Sequence, residues 1–390
     1  MHIDKSVEEF LRIVLAVSRL VNERTGIDPL LSRSIYTYAV EDPGSGWLET
    51  GRSIEMLSNS LHSLPQDQSE FIADLLQAMH VMVREGQGEK ISYSKRVQAY
   101  LQVSGEPLAE IIIDKLRQEL FAELVLAGYP DDLQVAYQKW SLDQTIKDAE
   151  LLETGRALLA ESRIRTNERV MQDPSKHRIE LNFPKTYPYN GYSDYSKDFS
   201  GRVYLNGDVS YRLSSLKHLI CHEALPGHQL FSALREFRFQ QGLLPVEGTV
   251  YLANTPITPI VEGTCEIGQS MLGMDDTQND KIEDLYNRYS SAVSTNIAVA
   301  CNTDSMDQAT AADRLMELIF IDKEHAIRHH AFMTNPLWQT SFMHYWHGRE
   351  MMRQNFARMK DHLPELYQMV YTEPHTVRTL RSRIERYLET

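Results

Sequence analysis

The chain has 390 residues, of which 42% are hydrophobic and 24% charged, so it can bury a large core and form about two domains. Its net charge of -14 excludes nucleic acid and anionic membrane surfaces as partners, because binding either one requires a clustered excess of Lys and Arg. The chain has three cysteines, Cys221, Cys265 and Cys301, and none of them stands in a C-x-x-C pair. This pattern excludes a disulfide framework and a cysteine-type zinc site.

The N-terminal segment MHIDKSVEEFLRIVLAVSRLV contains an apolar stretch. It also carries acidic residues and lacks a basic leader and a small-residue cleavage site. No stretch of the chain approaches the roughly 18 apolar residues that a membrane span needs. We therefore expect a cytoplasmic protein without a membrane partner.

Helical periodicity dominates the first part of the chain. Apolar residues recur at three and four positions in VEEFLRIVLAVSRLV, QSEFIADLLQAMHVMV and LAEIIIDKLRQELFAELVLAG, and turn-forming breaks separate the helical segments. The pattern predicts an N-terminal helical lobe over residues 1–170.

The character of the sequence changes between residues 175 and 210, which are rich in Tyr, Gly, Pro and Asn. Two candidate strands, RIELNF and GRVYLN, flank an aromatic loop, YPYNGYSDYS, which we expect to line a substrate cleft. Helical periodicity resumes at about residue 212. The sequence therefore predicts a mainly α fold with a small β element, and a metal-binding catalytic region over residues 171–390 that forms one compact unit with the lobe.

A Pro-Gly pair interrupts the helical pattern just after residues 213–225. In the metal-binding motif H-E-x-x-H the two histidines are four apart on one helix face, and the Glu beside the first can hold the attacking water. Here His222 and His228 are six apart, which on a straight helix means about 120° around the axis and about 9 Å along it. Pro226 and Gly227 can bend the helix and turn His228 back toward His222.

Two other interpretations of this segment stay open at this point. The Pro-Gly pair is also compatible with a helix end between two unrelated histidines, and His218 and His222 form a pair four apart that needs no distortion. A candidate third ligand lies 34 residues after His228, where Glu262 and Glu266 are one turn apart on a predicted helix. Zinc sites with two His and one Glu take the carboxylate from such a second helix, although a helical Glu pair is more often a solvated face.

The segments LKHLICHEALPGHQL, GRVYLN and VEGTCEIG together resemble the bacterial family catalogued as domain of unknown function 885, a group of zincin-like candidate peptidases. Its members carry H-E-x-x-P-G-H-H followed by E-G-W-x-x-Y-x-E, so Pro-Gly belongs to the metal motif there. The resemblance implies a zincin-like helical body of the gluzincin type that binds one Zn²⁺ per chain. It implies His222, His228 and Glu262 as the metal ligands and Glu223 as the general base.

The resemblance extends beyond the metal motif. ISYSKRVQAYL in the helical lobe matches, and in NPLWQTSFMHYWHG the residues Tyr345 and Gly348 match a Y-x-x-G element near the C-terminus. We expect Tyr345 to donate a hydrogen bond to a developing oxyanion. Substrate contacts are predicted for Tyr204, Asn206, Gln229, Glu266, His344 and His347.

Several positions depart from the family pattern. Gln229 replaces the second adjacent His of the first motif, and Gln269 replaces the second Glu of the later motif. Asn296 and Ala300 stand where the family has the Asp and His of D-x-G-x-H. Further differences are at Thr264, Ile267 and Trp346. The residues around the implied metal ligands therefore differ from those of the family. Losing the groups that surround metal ligands costs roughly ten- to a hundredfold in metal affinity or activity. The differences imply a new substrate or a weakened enzyme.

A second histidine pair occurs in HAIRHHAF. His325 and His329 are four apart, as metal ligands on one helix face would be. Arg328 lies between them, and the nearby acidic residue is Glu324 alone. We interpret this segment as a solvated helix face.

The sequence supports three functions. The first is a zinc-dependent hydrolase of a peptide, amide or ester bond, in which the metal and Glu223 activate water and the GRVYLN strand pairs with an extended substrate. The second is a metal-dependent lyase or tailoring enzyme acting on a small metabolite, and the third is a catalytically silent helical binding protein. No G-x-S-x-G, G-x-x-x-x-G-K-[ST] or G-x-G-x-x-G motif occurs. The expected partner is a small molecule or peptide, and the sequence gives no indication of oligomeric state.

Overall fold

The protein is mainly helical in the computed structural model, as the sequence predicts. The structure describes residues 4–30, 40–185, 189–303 and 306–389, and none of the helices in these ranges is long and apolar enough to cross a membrane. The helices are α1 (Lys5–Thr25), α2 (Trp47–Ser60), α3 (Gln66–Gly86), α4 (Tyr93–Leu101), α5 (Glu110–Leu126), α6 (Leu133–Asp143), α7 (Leu151–Arg169), α8 (Leu213–Glu223), α9 (His228–Gln240), α10 (Thr258–Glu266), α11 (Gly268–Leu272), α12 (Gln278–Thr303), α13 (Gln308–Ile319), α14 (Lys323–Met333), α15 (Ser341–Arg358), α16 (Leu363–Thr372) and α17 (Val377–Leu388). The strands are β1 (Arg178–Asn182), β2 (Gly191–Ser196) and β3 (Ser200–Leu205).

Aspartates define the start of several helices. The carboxylate of Asp4 accepts a hydrogen bond from the backbone N–H of Ser6 at 2.7 Å at the start of α1. Asp132 and Asp322 cap α6 and α14 in the same way. These caps satisfy backbone donors that the first turn of a helix leaves unpaired, so the local sequence fixes where each helix begins.

The small sheet has the strand order β1-β3-β2, with β3 parallel to β1 and antiparallel to β2. β1 and β3 correspond to the two predicted strands. β2 lies in the segment that the sequence presents as an aromatic loop, so that interpretation is wrong from Gly191 onward; residues 187–188 of the segment lie outside the described residues. Tyr192 of β2 lies opposite Tyr204 of β3, and such cross-strand aromatic pairs stabilise a strand.

Two hydrophobic cores join the helices before residue 170 to those that follow it. The first core contains Phe10 of α1 and Phe71 of α3 together with Leu230 of α9. The second contains Trp140 of α6 together with Tyr289 of α12. Helices of both regions therefore bury their apolar faces against each other. The predicted boundary between the two regions stays a prediction.

Helices α10 and α15 pack with their backbones in direct contact. A Cβ atom at Gly263 would lie 2.2 Å from the carbonyl oxygen of Gly348, and one at Gly348 would lie 2.3 Å from the carbonyl oxygen of Pro259. Only glycine permits so close an approach. The contact places the carboxylates of α10 directly beside the aromatic and cationic side chains of α15.

Gly348→Ala should lower the free energy of unfolding by about 2 kcal/mol or more, because one helix must move to make room for the methyl group. Urea denaturation measures this change. Gln354→Ala, at an exposed position of the same helix, is the matched control and should change the free energy by less than about 0.5 kcal/mol. An unchanged unfolding midpoint for Gly348→Ala would contradict the backbone contact.

Candidate metal centre

The Pro-Gly segment is a turn that joins two helices. α8 ends at Glu223 rather than at residue 225, and α9 begins at His228. The N–H of Gly227 donates to the carbonyl oxygen of Cys221 at 3.0 Å, so the chain folds back over the end of α8. The ring centroids of His222 and His228 consequently lie 5.1 Å apart. The turn brings together two histidines that a straight helix would separate.

Gly227 is required by the close approach of the backbone in this turn. A Cβ atom there would lie 1.7 Å from the carbonyl oxygen of His222. The carbonyl oxygen of Pro226 accepts a hydrogen bond from the hydroxyl of Tyr371 at 2.6 Å, which ties the turn to α16. The helix break is therefore part of the construction of the site.

Gly227→Ala should abolish the retention of zinc and lower the melting temperature, because backbone atoms cannot yield to the methyl group as a flexible side chain would. Zinc content by mass spectrometry and a thermal melt measure the two effects. Gly46→Ala is the control, since a Cβ atom at Gly46 meets nothing within 4 Å. Full zinc content and an unchanged melt in Gly227→Ala would show that the turn tolerates a side chain.

The side chains of His222, His228 and Glu262 converge, with one carboxylate oxygen of Glu262 near both imidazole rings. Oε2 of Glu262 lies 3.5 Å from Nε2 of His222 and 3.6 Å from Nε2 of His228. This oxygen is buried and has no hydrogen-bond partner among the described residues. The other oxygen, Oε1, accepts a hydrogen bond from the hydroxyl of Tyr251 at 3.0 Å. Two imidazoles and one carboxylate are a donor set for zinc, so the three side chains fit the predicted metal.

The charge states of the two glutamates differ. Although burial opposes its ionisation, the rings of His228 and His222 lower the pKa of Glu262 well below the usual carboxyl value. Burial raises the pKa of Glu223, and the two histidines only partly oppose that shift. Glu262 is therefore ionised, as a metal ligand would have to be, whereas Glu223 is the more basic carboxylate, which suits a proton acceptor.

Glu266 stands behind His222. Its Oε1 lies 3.3 Å from Nδ1 of His222, the ring nitrogen on the side opposite to Glu262. A carboxylate in this position fixes the orientation and tautomer of a metal-binding histidine. Glu266, which is predicted to contact the substrate, thus lies where it can orient the ring of His222.

A second donor set includes His218. The ligand atoms of His218, His222 and Glu266 lie within 4.8 Å of one another. Glu266 forms an ion pair with Arg349 in this arrangement. Because the guanidinium cation of Arg349 already compensates the charge of the Glu266 carboxylate, this set is a poor site for a metal cation.

A third donor set includes a thiol. The ligand atoms of His222, His228 and Cys265 also lie within 4.8 Å of one another. Burial and the charges of Glu262 and Glu223 raise the pKa of Cys265 well above its usual value. Without a metal ion, Glu262 is thus the ionised group of the two and Cys265 the neutral one.

The triad faces a cavity of about 130 Å³, which adjoins a chamber of about 320 Å³. Glu223 and Tyr345 line both spaces. Gly191 of β2 packs against Glu223, since a Cβ atom there would lie 2.6 Å from Oε1 of Glu223. Burial, with the charges of Glu262 and Glu223, raises the pKa of Tyr345 well above its usual value, so its hydroxyl stays a donor. A proton acceptor and a hydrogen-bond donor therefore share the space in front of the triad.

Gln229 is directed toward the sheet. Its amide nitrogen donates to Oγ of Ser193 at 2.8 Å and to the carbonyl oxygen of Asp194 at 3.0 Å. Its amide oxygen lies 3.3 Å from Nε2 of His177. The side chain thus ties α9 to β2, which is a structural role at a position where a substrate contact is predicted.

β3 has hydrogen-bonded neighbours on both of its edges. Tyr204 is paired with Asn182 of β1 and with Tyr192 of β2. In the turn after β3, the side-chain oxygen of Asn206 accepts a hydrogen bond from the N–H of Asp208 at 2.9 Å. The expectation that GRVYLN pairs with an extended substrate is therefore wrong, because its edges are already occupied. The edge strand beside Glu223 is β2.

His344 and His347 have different environments, although they lie about one turn apart on α15. His344 is buried against Tyr345, with ring centroids 4.5 Å apart. Burial lowers the pKa of His344 to about 4, so its ring is neutral. His347 lines a separate groove with Arg84 and Arg358. Only the first of these two predicted contacts is brought near the metal triad.

The histidine pair of α14 has a different environment from the predicted one. His325, Arg328 and His329 line the chamber of about 320 Å³ together with His222. Nε2 of His329 lies 3.1 Å from Oγ of Ser294. The interpretation of this segment as a solvated helix face is confirmed for Arg328, which is exposed, and wrong for His329, which tertiary packing turns toward the site.

Two of the altered family positions have structural hydrogen bonds. The side chain of Asn296 accepts from the N–H of Leu108 at 2.7 Å and donates to its carbonyl oxygen at 2.9 Å. The amide of Gln269 donates to the carbonyl oxygen of Met274 at 2.9 Å. Both side chains therefore hold loops in place.

Sequence reasoning misses two residues of the centre. Tyr251 holds Glu262, and Arg349 holds Glu266. Arg349 lies one helical turn after Tyr345, so helical spacing was a usable signal for it. Tyr251 comes from an irregular segment and belongs to no motif, so no local pattern marks it.

The fold of the chain has solved counterparts. No known family model and no curated protein matches the sequence. A candidate lipoprotein from Colwellia psychrerythraea aligns with a TM-score of 0.61 at 16% identity, over 89% of this chain and 68% of its own. A candidate lipoprotein of unknown function from Shewanella oneidensis aligns with a TM-score of 0.56 at 13% identity, over 87% of this chain and 71% of its own. At these identities the likeness establishes a shared fold alone.

Removal of any one triad side chain should abolish stoichiometric zinc binding, because each supplies one of three protein ligands. The variants are His222→Ala, His228→Ala and Glu262→Gln. Glu266→Gln should weaken zinc affinity by about ten- to a hundredfold, and His218→Ala should leave it intact. Zinc content after dialysis against graded chelator measures these affinities. A larger loss at His218 than at His222 would contradict the assignment.

Cobalt substitution tests whether sulfur is a ligand. Co²⁺ bound to a thiolate absorbs in the near ultraviolet through charge transfer, whereas Co²⁺ bound to nitrogen and oxygen does not. We expect the same spectrum for the wild type and Cys265→Ser, because Oε2 of Glu262 lies between the Nε2 atoms of His222 and His228 and is the assigned third ligand atom. A charge-transfer band that disappears in Cys265→Ser would show that the thiol-containing set holds the metal.

Proposed function

We propose that the protein is a zinc-dependent hydrolase of a peptide, amide or ester bond. The observation that carries the proposal is the buried, unpartnered Oε2 of Glu262, placed 3.5 Å from Nε2 of His222 and 3.6 Å from Nε2 of His228. A buried carboxylate oxygen without a donor is costly, and a cation among the three side chains removes that cost. The same arrangement supports a zincin-like, gluzincin-type site in a divergent relative of the domain of unknown function 885 family.

The side chains around the triad divide the chemistry of hydrolysis among them. The triad would hold a zinc ion, which would supply the Lewis acid that polarises the scissile carbonyl group. Glu223 accepts a proton from the attacking water and then donates it to the leaving group, for which its raised pKa is suited. The hydroxyl of Tyr345 donates a hydrogen bond to the carbonyl oxygen as negative charge develops on it.

β2 provides a surface for an extended substrate. It is the last strand of the order β1-β3-β2, and its residues Gly191, Tyr192 and Ser193 line the cavity that Glu223 also lines. An extended peptide can add to the edge of a sheet through backbone hydrogen bonds. Such pairing brings a peptide carbonyl next to Glu223, which favours peptides over other amides and esters.

Glu223→Gln should retain zinc and the fold but lose turnover by several orders of magnitude, because the amide cannot accept a proton from water. Wild type and variant are incubated with peptide mixtures and metabolite extracts, and products are followed by mass spectrometry. Some compound should gain the mass of water with the wild type alone. Glu161→Gln, at an exposed position of α7, is the matched control and should behave as the wild type.

Other outcomes of this experiment favour other functions. Cleavage without the gain of water, dependent on Glu223, would indicate a metal-dependent lyase. Identical profiles for wild type and Glu223→Gln, with zinc bound to both, would contradict both enzymes and favour a silent binding protein.

A further inference from the structure

A second chamber, of about 340 Å³, adjoins the chamber of about 320 Å³ that contains His222 and Glu223. The side chains of His218, Glu266 and Tyr345 line both. The remaining walls are largely apolar, with side chains that include Val209, Leu219, Tyr286, Ile319, Ile321 and Phe342. Part of a substrate bound at the triad can therefore extend into this second chamber.

Arg349 brings a buried cation to the second chamber. The residue is 3% exposed and lines the chamber wall. Its Nη2 pairs with Glu266, but its Nε and Nη1 have no hydrogen-bond partner among the described residues. Buried donors of a charged group are costly when they lack an acceptor. Arg349 thus keeps two unsatisfied donors in the wall of the chamber.

Two other charged or titratable groups of this chamber, Arg212 and His329, have partners. Nε and Nη2 of Arg212 donate to the two carboxylate oxygens of Glu283 at 2.8 and 2.7 Å. Nε2 of His329 lies 3.1 Å from Oγ of Ser294, and burial lowers the pKa of His329 to about 4, so the ring is neutral. Of the two arginines that line the chamber, Arg349 is therefore the one with open donors for an anionic ligand.

The surroundings of Arg349 favour a carboxylate over a phosphate. The carboxylate of Glu266 already contacts the same guanidinium, and it repels a dianion more strongly than a monoanion. Oγ of Ser291 also lines the chamber, and it is buried without a partner among the described residues. The guanidinium and the hydroxyl are each donor groups that suit a carboxylate oxygen.

We propose that the second chamber binds a carboxylate of the substrate through Arg349, so that the protein acts on carboxylate-bearing peptides or N-acyl amino acids. The link to catalysis rests on the proposed hydrolase function, whereas the carboxylate site itself needs no metal. The carboxylate is either the C-terminal group of the substrate or an acidic side chain. Both sources present the same chemistry to Arg349.

The test is calorimetric titration of the metal-free protein with three probes. N-acetylalanine carries a terminal carboxylate, N-acetylisoglutamine carries a side-chain carboxylate, and N-acetylalaninamide carries none. The wild type should bind at least one of the carboxylates about tenfold or more tightly than the amide. Tighter binding of N-acetylalanine identifies the terminal group as the recognised one, and tighter binding of N-acetylisoglutamine identifies the side chain.

Substitutions on α15 assign the preference to Arg349. Arg349→Met should abolish it, and Arg358→Met, at an exposed position of the same helix, should preserve it. Arg349→Met leaves the carboxylate of Glu266 without its cation. The double variant Arg349→Met, Glu266→Gln removes both charges of the ion pair and should lose the preference for carboxylates as well. Circular dichroism confirms that each variant is folded.

The outcomes separate this inference from the hydrolase proposal. Equal affinities of the wild type for all three probes, or a preference that survives both Arg349 variants, overturn the carboxylate site. A preference that depends on Arg349, in a protein that binds no zinc, leaves the carboxylate site standing and overturns the hydrolase. Zinc binding and Glu223-dependent turnover without a carboxylate preference overturn the carboxylate site alone.

Discussion

The carboxylate of Glu262, buried between two imidazole rings, is the feature on which the account of this protein depends. One of its oxygens is held by Tyr251, and the other points between His222 and His228 without a donor of its own. Charge of this kind is stable in a protein interior only when a cation or several donors compensate it. The two rings already favour the ionised carboxylate, and a bound zinc ion would complete the compensation.

Close backbone contacts at glycines make this arrangement possible. Gly227 allows the turn after α8 to fold against the carbonyl of His222, and Gly263 and Gly348 allow α10 and α15 to touch. The first contact brings the two histidines together. The second sets the carboxylates of α10 against α15, where Arg349 pairs with Glu266 and Glu266 in turn approaches His222. A chain of buried charges thus extends from the metal triad to the second chamber.

Periodicity predicts the helical class and the two strands around 178–205, because these features arise from local geometry. The convergence of His222, His228 and Glu262 is implied by the resemblance to the domain of unknown function 885 family, since spacing alone leaves other pairs open. What local patterns miss depends on tertiary contacts: β2 forms because Tyr192 and its neighbours pair with β3, and α14 turns His329 inward because it packs over the chamber. The roles of Gln229 and Glu266 likewise depend on partners far away in the sequence, which no local pattern specifies.

The most direct test of the central claim is a crystal structure of the zinc-loaded protein with anomalous data collected above and below the zinc absorption edge. The account predicts one strong anomalous peak at about 2.0–2.2 Å from Nε2 of His222, Nε2 of His228 and an oxygen of Glu262. A peak between His218 and Glu266, a peak coordinated by Cys265 in place of Glu262, or no peak in zinc-saturated crystals would contradict it.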